Sequence, residues 1–418
     1  MPHILIVGQK FSTLTDYLTD RGHTYTFLQD RLKTKFPDKK FKNRVLGDFQ
    51  SKDALMASLK DLPKIDGVMS TYENYILPAA WIAESLGVPG LPVSAAEACT
   101  DKFLMRSLFD TAPEKISPAF AIVNSEEDVR SFASSHSFPL ILKPANLAKS
   151  LLVTKNVDLE ELEANYQKSI SLLHTTYKKY APNRTPQLII EEFLEGSIHS
   201  VDAFVDNTGT PFVLDQIVDY QTGYDIGYDD NFHYSRLLPS KLSPEDQTAL
   251  RHCAELGIKA LGMKSSPAHV EIIMTKEGPR IVEIGARNGG YRERMHSIAN
   301  GIDITGAALT LSLGGTPDLT ALRNDPCAVL ELFPKTPGYF KGIENLDTLK
   351  TLPSLQYVSV KAKEGEYTGK AADGYKMSAV IILHAPLDDA EDFSNDLSYV
   401  SSHVKVLTAT EQVHADNV

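Results

Sequence analysis

The sequence contains few cysteines, and none of them forms a recognisable pair. Cys99, Cys253 and Cys327 are the three cysteines of the 418 residues, and no CxxC motif occurs. An odd number of isolated cysteines argues against a disulfide framework and against a zinc ribbon. We therefore expect a reducing compartment, and hence a cytoplasmic protein.

An excess of basic residues is also missing. Lys and Arg total 42 against 54 for Asp and Glu, so the net charge is −12. Nucleic acids and anionic membranes are bound by basic surfaces, and no apolar run approaches the ~18 residues of a spanning helix. We therefore predict neither nucleic acid nor membrane as a partner. The opening MPHILIVGQ lacks a basic n-region and a cleavage site, which indicates a strand rather than a signal peptide.

The first hundred residues alternate between strand and helix patterns. The apolar periodicity predicts strands at His3–Val7, Thr24–Leu28 and Asp66–Ser70 and helices at Thr13–Thr19 and Ile76–Leu86. Such alternation predicts a parallel sheet, in which ligands bind beyond the carboxyl ends of the strands. Tyr72 and Glu73 follow the third strand and are candidates for the rim of a substrate site, with an ordinary polar loop as the alternative.

The middle of the chain predicts an α+β arrangement. Helical patterns at Leu159–Tyr180 and Ser243–Leu261 separate or follow closely spaced short strands. The strand candidates are Pro139–Lys143, Leu151–Lys155, Leu188–Glu192, Val201–Val205 and Phe212–Val218. We find no internal repeat and no long low-complexity linker, so the α/β and α+β parts are expected to share one compact body.

Two acidic strands form the sharpest local feature. The segments HVEI and RIVEIG carry Glu271 and Glu283 near the middle of a predicted hairpin. Paired antiparallel strands bring such side chains together on one face, and adjacent carboxylates repel unless a cation compensates them. Mg²⁺ bound by carboxylates and substrate phosphates is one solution. A hairpin whose acidic side chains are solvated is the alternative.

Arginines flank a double glycine directly after this hairpin. The residues concerned are Arg287, Asn288, Gly289, Gly290, Arg292 and Arg294. Consecutive glycines allow a backbone to approach a ligand closely, and a guanidinium offers a fixed fork for phosphate or carboxylate. The segment therefore predicts an anionic ligand, with a solvated basic turn as the alternative.

Two lysines and one strand end complete the candidates. Lys102 lies at the start of a predicted helix, and Lys143 ends an apolar strand, where Pro144 favours an extended backbone. Because most lysines are surface charges, neither lysine is specific by itself. The strand LIIEEFLEG (Leu188–Gly196) ends in acidic residues, and its backbone edge could bind an adenine ring.

The order of these parts resembles that of ATP-grasp ligases. The motifs DK, LKP, EEFLEG, HVE and VEIGARNGG follow one another as in that superfamily, and they are most similar to the amino-acid ligase branch of dipeptide synthetases and carnosine-synthase-like enzymes. The resemblance implies an N-terminal parallel-sheet (pre-ATP-grasp) domain at 1–98 and an ATP-grasp lid subdomain at 99–196. It also implies a large subdomain with the metal site at 197–325, and a small C-terminal α+β subdomain at 326–418.

The resemblance also implies a role for each candidate. ATP would lie between the lid and the large subdomain, with Mg²⁺ (or Mn²⁺) on Glu271 and Glu283 and with Arg287 as the catalytic residue. The implied ATP-binding residues are Lys102, Lys143, Lys149, Ser150, Glu191, Glu192, Phe193, Leu194 and Glu195. The implied substrate-binding residues are Tyr72, Glu73, Arg287, Asn288, Gly289, Gly290 and Arg292. The implied reaction joins a small-molecule carboxylate to an amine through an acyl-phosphate, in a protein that is often a homodimer in this branch.

The loop after Lys143 departs from the family pattern. Residues 144–153 contain no glycine, so Lys149 and Ser150 would replace the backbone amides that usually bind phosphate. Together with the two positions below, this departure keeps open a degenerate ATP-grasp protein that binds nucleotide without ligation. A carboxylase or nucleotide-biosynthesis ligase of the same superfamily is a separate alternative.

Two further positions differ from that pattern. Ile198 stands where a ribose-binding glutamate is usual, so Glu195 or His199 would have to substitute for it. Gly285 stands where the metal motif often has an asparagine.

Overall fold

The computed structural model describes residues 1–8, 12–34, 41–147, 151–181, 184–228 and 230–411. The strands are β1 (His3–Val7), β2 (Thr24–Asp30), β3 (Arg44–Gly47), β4 (Gly67–Met69), β5 (Phe120–Val123), β6 (Leu140–Pro144), β7 (Thr154–Asn156), β8 (Leu188–Glu192), β9 (Ser197–Val205), β10 (Pro211–Val213), β11 (Val218–Thr222), β12 (His233–Leu238), β13 (Ser266–Thr275), β14 (Gly278–Gly285), β15 (Cys327–Leu332), β16 (Gly338–Ile343), β17 (Leu355–Val360), β18 (Tyr367–Thr368), β19 (Ala379–His384) and β20 (Val406–Ala409).

The helices are α1 (Ser12–Asp20), α2 (Lys52–Ala57), α3 (Ile76–Leu86), α4 (Val93–Cys99), α5 (Lys102–Phe109), α6 (Glu126–Ser135), α7 (Leu159–Tyr180), α8 (Gly223–Ile226), α9 (Pro244–Ala260), α10 (Arg292–Ala299), α11 (Ile304–Ser312), α12 (Leu346–Leu349) and α13 (Ala390–His403). Within the described ranges, no helix combines the length and apolar character that crossing a membrane requires.

The N-terminal sheet has the parallel arrangement that the sequence predicts. Its order is β3–β2–β1–β4, and each neighbouring pair is parallel. The apolar strands bury their side chains, and β1 is almost completely inaccessible from Ile4 to Val7. Strand β3 was not predicted, because its residues are mostly half-buried at the sheet edge and carry a weak apolar signal. Helix α3 has the predicted bounds and ends at Gly87, whose φ of 64° suits a left-handed C-terminal cap.

A second, antiparallel sheet has the order β5–β8–β6–β7. Helices α6 and α7 pack on it through a core that includes Val129, Leu162 and Leu173. The predicted helix α7 is confirmed, and the side chain of Asp158 caps it by accepting from the Glu161 N–H. The predicted strand at Leu151–Lys155 is wrong at its start, because Leu152 adopts a φ of 56° and β7 begins only at Thr154.

The largest sheet in the described part of the chain has nine strands. Its main path is β14–β13–β9–β11–β12–β15–β19–β17, with β10 paired to β9. The prediction of one strand at Phe212–Val218 is wrong, because a bend at Asp215 divides the segment into β10 and β11. The predicted acidic hairpin is confirmed and extended, as β13 and β14.

The C-terminal segment continues this sheet. Strand β12 pairs with β15, and β19 joins β15 to β17, so one hydrogen-bonded sheet runs across the boundary predicted at residue 326. A small sheet, β18–β16–β20, lies beside it. The fold is therefore mixed α/β, with a parallel N-terminal sheet and antiparallel sheets that bring the hairpin, the lid and the end of β4 together.

Candidate functional site

The acidic pair of the hairpin lies in direct register. Glu271 on β13 is the cross-strand partner of Glu283 on β14, so the two carboxylates share one face of the sheet. Their side chains are 26% and 31% exposed. Lys102, the first residue of α5, places its Nζ 3.0 Å from Oε2 of Glu283. Burial opposes ionisation of Glu283, but Lys102 outweighs it and lowers the pKa of this carboxyl.

Glu271 is held by two histidines. His269 Nε2 lies 3.6 Å from its Oε1, and His233 Nδ1 lies 3.8 Å from the same oxygen. Burial alone would raise the pKa of Glu271, but the histidines and the more distant charge of Arg287 hold it well below its usual range. Both carboxylates are therefore ionised and available to a cation.

The N-terminal domain contributes a third carboxylate to the site. Glu73 lies in a single 3₁₀ turn after β4, and its Oε2 accepts a 2.8 Å hydrogen bond from Nε of Arg287. Its other oxygen, Oε1, is buried and has no hydrogen-bond partner among the described residues. Burial raises the pKa of Glu73, and the negative charge of Glu283 adds to this effect, although Arg287 opposes it.

Gly285 leaves room for this carboxylate. A Cβ atom at Gly285 would lie 3.3 Å from Oε2 of Glu73, which is tight for a carbon–oxygen contact. The departure from the family pattern at this position therefore coincides with a carboxylate that reaches in from the N-terminal domain.

The lid provides a second charged cluster. Lys143 on β6 donates to Oε2 of Glu191 on β8 at 2.6 Å, and Nε of Arg106 lies 3.1 Å from Oε1 of the same residue. Burial is the main cause that lowers the pKa of Lys143, to about 8, and Glu191 opposes this shift. Arg106 also donates to the carbonyl of Val282 at 2.7 Å, which connects this cluster to the acidic hairpin.

The structure places Glu191 differently from the sequence prediction. Its carboxylate is 5% exposed and is engaged by Lys143 and Arg106, so it positions the lysine and is not free to bind nucleotide. Glu192 also points its carboxylate at the protein, because Oε2 accepts from the Ala119 N–H at 2.8 Å. Any contact of Glu192 with a base would come from its main chain.

An aromatic ring marks the other end of the predicted nucleotide cleft. Phe193 follows β8, and Nζ of Lys155 lies 3.9 Å from the centre of its ring. Leu194 is half-buried and Glu195 is exposed. His199 is buried between Ser197 and Asp219, at 2.7 Å from each, so it is not available as a ribose ligand.

A buried network lies beneath the acidic pair. Asp202 on β9 accepts from Nδ1 of His269 at 2.7 Å and from Nε of Arg292 at 3.0 Å. Nη2 of Arg292 donates in turn to Ser200 and Tyr220, at 2.7 and 2.8 Å. The chain Asp202–His269–Glu271 therefore fixes one member of the acidic pair from behind.

Like Glu191, Arg292 is a predicted ligand-binding residue whose side chain contacts protein groups instead. Its side chain is 1% exposed and its hydrogen bonds go to protein groups, so it does not reach a substrate directly. Gly289 packs in the same region, and a Cβ there would fall 2.5 Å from Nδ1 of His269. Gly290 has open space around it, and Asn288 lines a cavity beside the site.

Tyr72 lies at the N-terminus of the 3₁₀ turn and is half-exposed, which places it beside Glu73 at the rim. Lys149 and Ser150 lie outside the described residues.

Arg106 and Asp202 are site residues that were not predicted. Arg106 follows Lys102 by four residues on α5, so helical spacing alone would have placed both cations on one face. Asp202 had no comparable signal, because only the pairing of β9 with β13 sets it opposite His269.

The donor chemistry of the site fits ATP and a divalent cation. Two ionised carboxylates face Lys102 and Arg287, which suits a triphosphate neutralised partly by metal and partly by protein cations. No cluster of three or more His, Cys, Asp or Glu residues suited to a metal occurs in the described ranges. Mg²⁺ bound through one or two carboxylates, water and phosphates needs no such cluster.

Comparisons with known proteins agree with this chemistry. The ATP-grasp domain family matches residues 136–293. Alanine–anticapsin ligase of Bacillus subtilis is 27% identical over 324 residues, covering 73% of this chain and 66% of that protein. The chain thus spans just under two thirds of that relative. Carnosine synthase 1 of Homo sapiens is 23% identical over 57% of this chain and 32% of that protein.

A solved structure supports the fold over the whole chain. The L-amino acid ligase from Bacillus licheniformis superposes with a TM-score of 0.77 at 20% identity, covering 98% of this chain and 99% of that one. At this identity the likeness establishes the architecture.

Proposed function

We propose that this chain is a ligase of the ATP-grasp superfamily, and that it uses ATP to join a small amino-acid-like carboxylate to an amine. The observation that carries the proposal is the registered pair of Glu271 and Glu283, with Lys102 and Arg287 around it. Small molecules are the partners that such a site suits, and a homodimer stays a prediction that light scattering would test.

Four side chains and one segment of main chain would hold the nucleotide and its cation. Glu271 and Glu283 would bind Mg²⁺ (or Mn²⁺), which when bound neutralises phosphate charge. Lys102 and Lys143 would contact the phosphates. The main chain around Leu194, beside Phe193, would bind the adenine ring. These assignments rest on the positions described above and on the family pattern.

The protein's contribution to phosphoryl transfer is positioning and charge stabilisation. Arg287 would orient the substrate carboxylate so that one of its oxygens attacks the γ-phosphorus and ADP leaves. The guanidinium then stabilises the negative charge that develops on the transferred phosphoryl group. An amine attacks the carbonyl of the resulting acyl-phosphate, and phosphate leaves with the C–O bonding electrons. The proton lost by the amine nitrogen balances on the released phosphate, and an amide forms.

Glu73 would bind the substrate beside Arg287. Its Oε1 is buried and unpartnered, so it is able to accept a hydrogen bond from an ammonium group. Since Arg287 pairs with the other oxygen, one ion pair presents both a cation and a free acceptor to the ligand. This combination suits an amino acid better than a simple carboxylic acid.

The test is phosphate release from ATP with pairs of amino acids. We expect release that requires both Mg²⁺ and amino acid, and a loss of at least 100-fold in Glu283→Ala. Glu277→Ala is the matched control, because Glu277 is an exposed carboxylate in the turn of the same hairpin. ATP binding without turnover on any pair would instead favour a nucleotide-binding protein, and release that depends on bicarbonate would favour a carboxylase.

A further inference from the structure

A cavity of about 80 Å³ lies between the N-terminal domain and the large sheet. One wall is formed by Met69 at the end of β4 and by Ile76 and Ala80 of α3. Ser266 of β13 and Ala308 of α11 also line it. Since about 15 Å³ of such space holds one water molecule, the cavity has room for about five non-hydrogen atoms.

Two polar residues join the cavity to the candidate site. Thr71, which lines it, lies two residues before Glu73, and Asn288, which also lines it, directly follows Arg287. The hydroxyl of Thr71 is buried and has no hydrogen-bond partner among the described residues. The cavity is therefore lined by close chain neighbours of the Glu73–Arg287 ion pair, and one of them, Thr71, has an unused hydrogen-bonding group.

The lining carries little charge. Short aliphatic side chains and hydroxyl groups make up most of it, and Glu293 is the one charged lining residue within the described ranges. A charge placed in such surroundings without a partner is strongly disfavoured. The walls therefore suit a neutral group, either aliphatic or carrying a hydroxyl.

We propose that this cavity receives the uncharged side chain of the amino acid whose carboxylate Arg287 binds. The inference rests on the proposed function and specifies its substrate class: amino acids with neutral side chains of up to about five non-hydrogen atoms. The backbone of the substrate would stay at the Glu73–Arg287 pair while its side chain fills the space between the two domains.

The test reduces the cavity volume by enlarging one of two lining side chains. Ala80→Leu adds three carbon atoms from α3, and Ala308→Val adds two from α11. Ala57→Leu on α2 is the control, because Ala57 is exposed and distant from the lining. We expect kcat/KM for L-leucine to fall at least tenfold relative to glycine in either filled variant, since one methylene changes discrimination by about tenfold or more. The control should keep the wild-type ratio.

A binding measurement separates this inference from the ligase proposal. Calorimetry with a non-hydrolysable ATP analogue and Mg²⁺ should show tighter binding of leucine than of glycine to the wild type, and the filled variants should lose this difference. That result would support the cavity even if no phosphate were released. An unchanged leucine-to-glycine ratio in both folded variants, or a wild-type preference for lysine or glutamate, would overturn the inference.

Discussion

Glu191→Gln removes the one negative charge between two buried cations. Lys143 and Arg106 contact opposite oxygens of Glu191, at 2.6 and 3.1 Å, and the three side chains are at most 9% exposed. Breaking a buried ion pair by removing one partner typically costs about 3–5 kcal/mol. We therefore expect the free energy of unfolding at pH 6 to fall by about that amount.

The pH dependence of this loss follows from the two cations. Arg106 cannot release its proton, whereas Lys143, whose pKa is already lowered to about 8, can. A lysine whose pKa is lower in the folded than in the unfolded state destabilises the fold below its folded pKa. Stability then rises between that pKa and the unfolded value of ~10.4. The loss in Glu191→Gln should therefore be smaller at pH 9 than at pH 6.

Urea unfolding at both pH values tests this reasoning, with Glu192→Gln as the matched control. Glu192 is the next residue, its carboxylate is 35% exposed, and glutamine keeps an oxygen to accept from the Ala119 N–H. We expect the control to lose less than about 1 kcal/mol. If Glu191→Gln lost no more than Glu192→Gln, the buried cluster would not be the stabilising unit described here.

Three further predictions concern the same region. In urea unfolding, Gly289→Ala should destabilise the protein by about 1–3 kcal/mol, because its Cβ would overlap the ring of His269. Gly290 has open space around it, so Gly290→Ala should leave the free energy of unfolding nearly unchanged. Affinity for an ATP analogue, measured by calorimetry, should fall by up to about tenfold from pH 7 to pH 9 as Lys143 loses its charge. If a Lys143→Arg variant showed the same fall in affinity with pH, Lys143 would not be its cause. Lys102→Met should weaken the affinity for the ATP analogue by about 10- to 100-fold. Binding within twofold of the wild type would show that Lys102 pairs with Glu283 and does not contact the nucleotide.

The features predicted from sequence are those with a local signal. The strand β1 and the helix α3 follow from apolar periodicity, and the facing of Glu271 and Glu283 follows from the period of two in an antiparallel hairpin. The resemblance to ATP-grasp ligases followed from the order of the motifs along the chain. None of these inferences needed long-range contacts.

The features that the sequence did not reveal depend on pairing between distant strands. Asp202 lies opposite His269, 67 residues away along the chain, only because β9 pairs with β13. Arg292 of α10 then donates to the other oxygen of the same carboxylate. Arg292 therefore has the sequence context of an anion-binding residue but the surroundings of a core residue. Glu191 is a similar case, since Lys143 on β6 reaches Glu191 on β8 only through the pairing of these two strands.

The continuity of the large sheet determines how the chain could be shortened. Strand β12 pairs from Ser235 to Leu238 with β15, which belongs to the last hundred residues. A chain truncated before residue 326 would leave the backbone N–H and C=O groups of β12 unpaired at a new sheet edge. Exposed sheet edges pair with strands of other molecules. Because β12 also carries His233, whose Nδ1 lies 3.8 Å from Oε1 of Glu271, self-association of the shortened protein would begin on a strand that contacts the acidic pair.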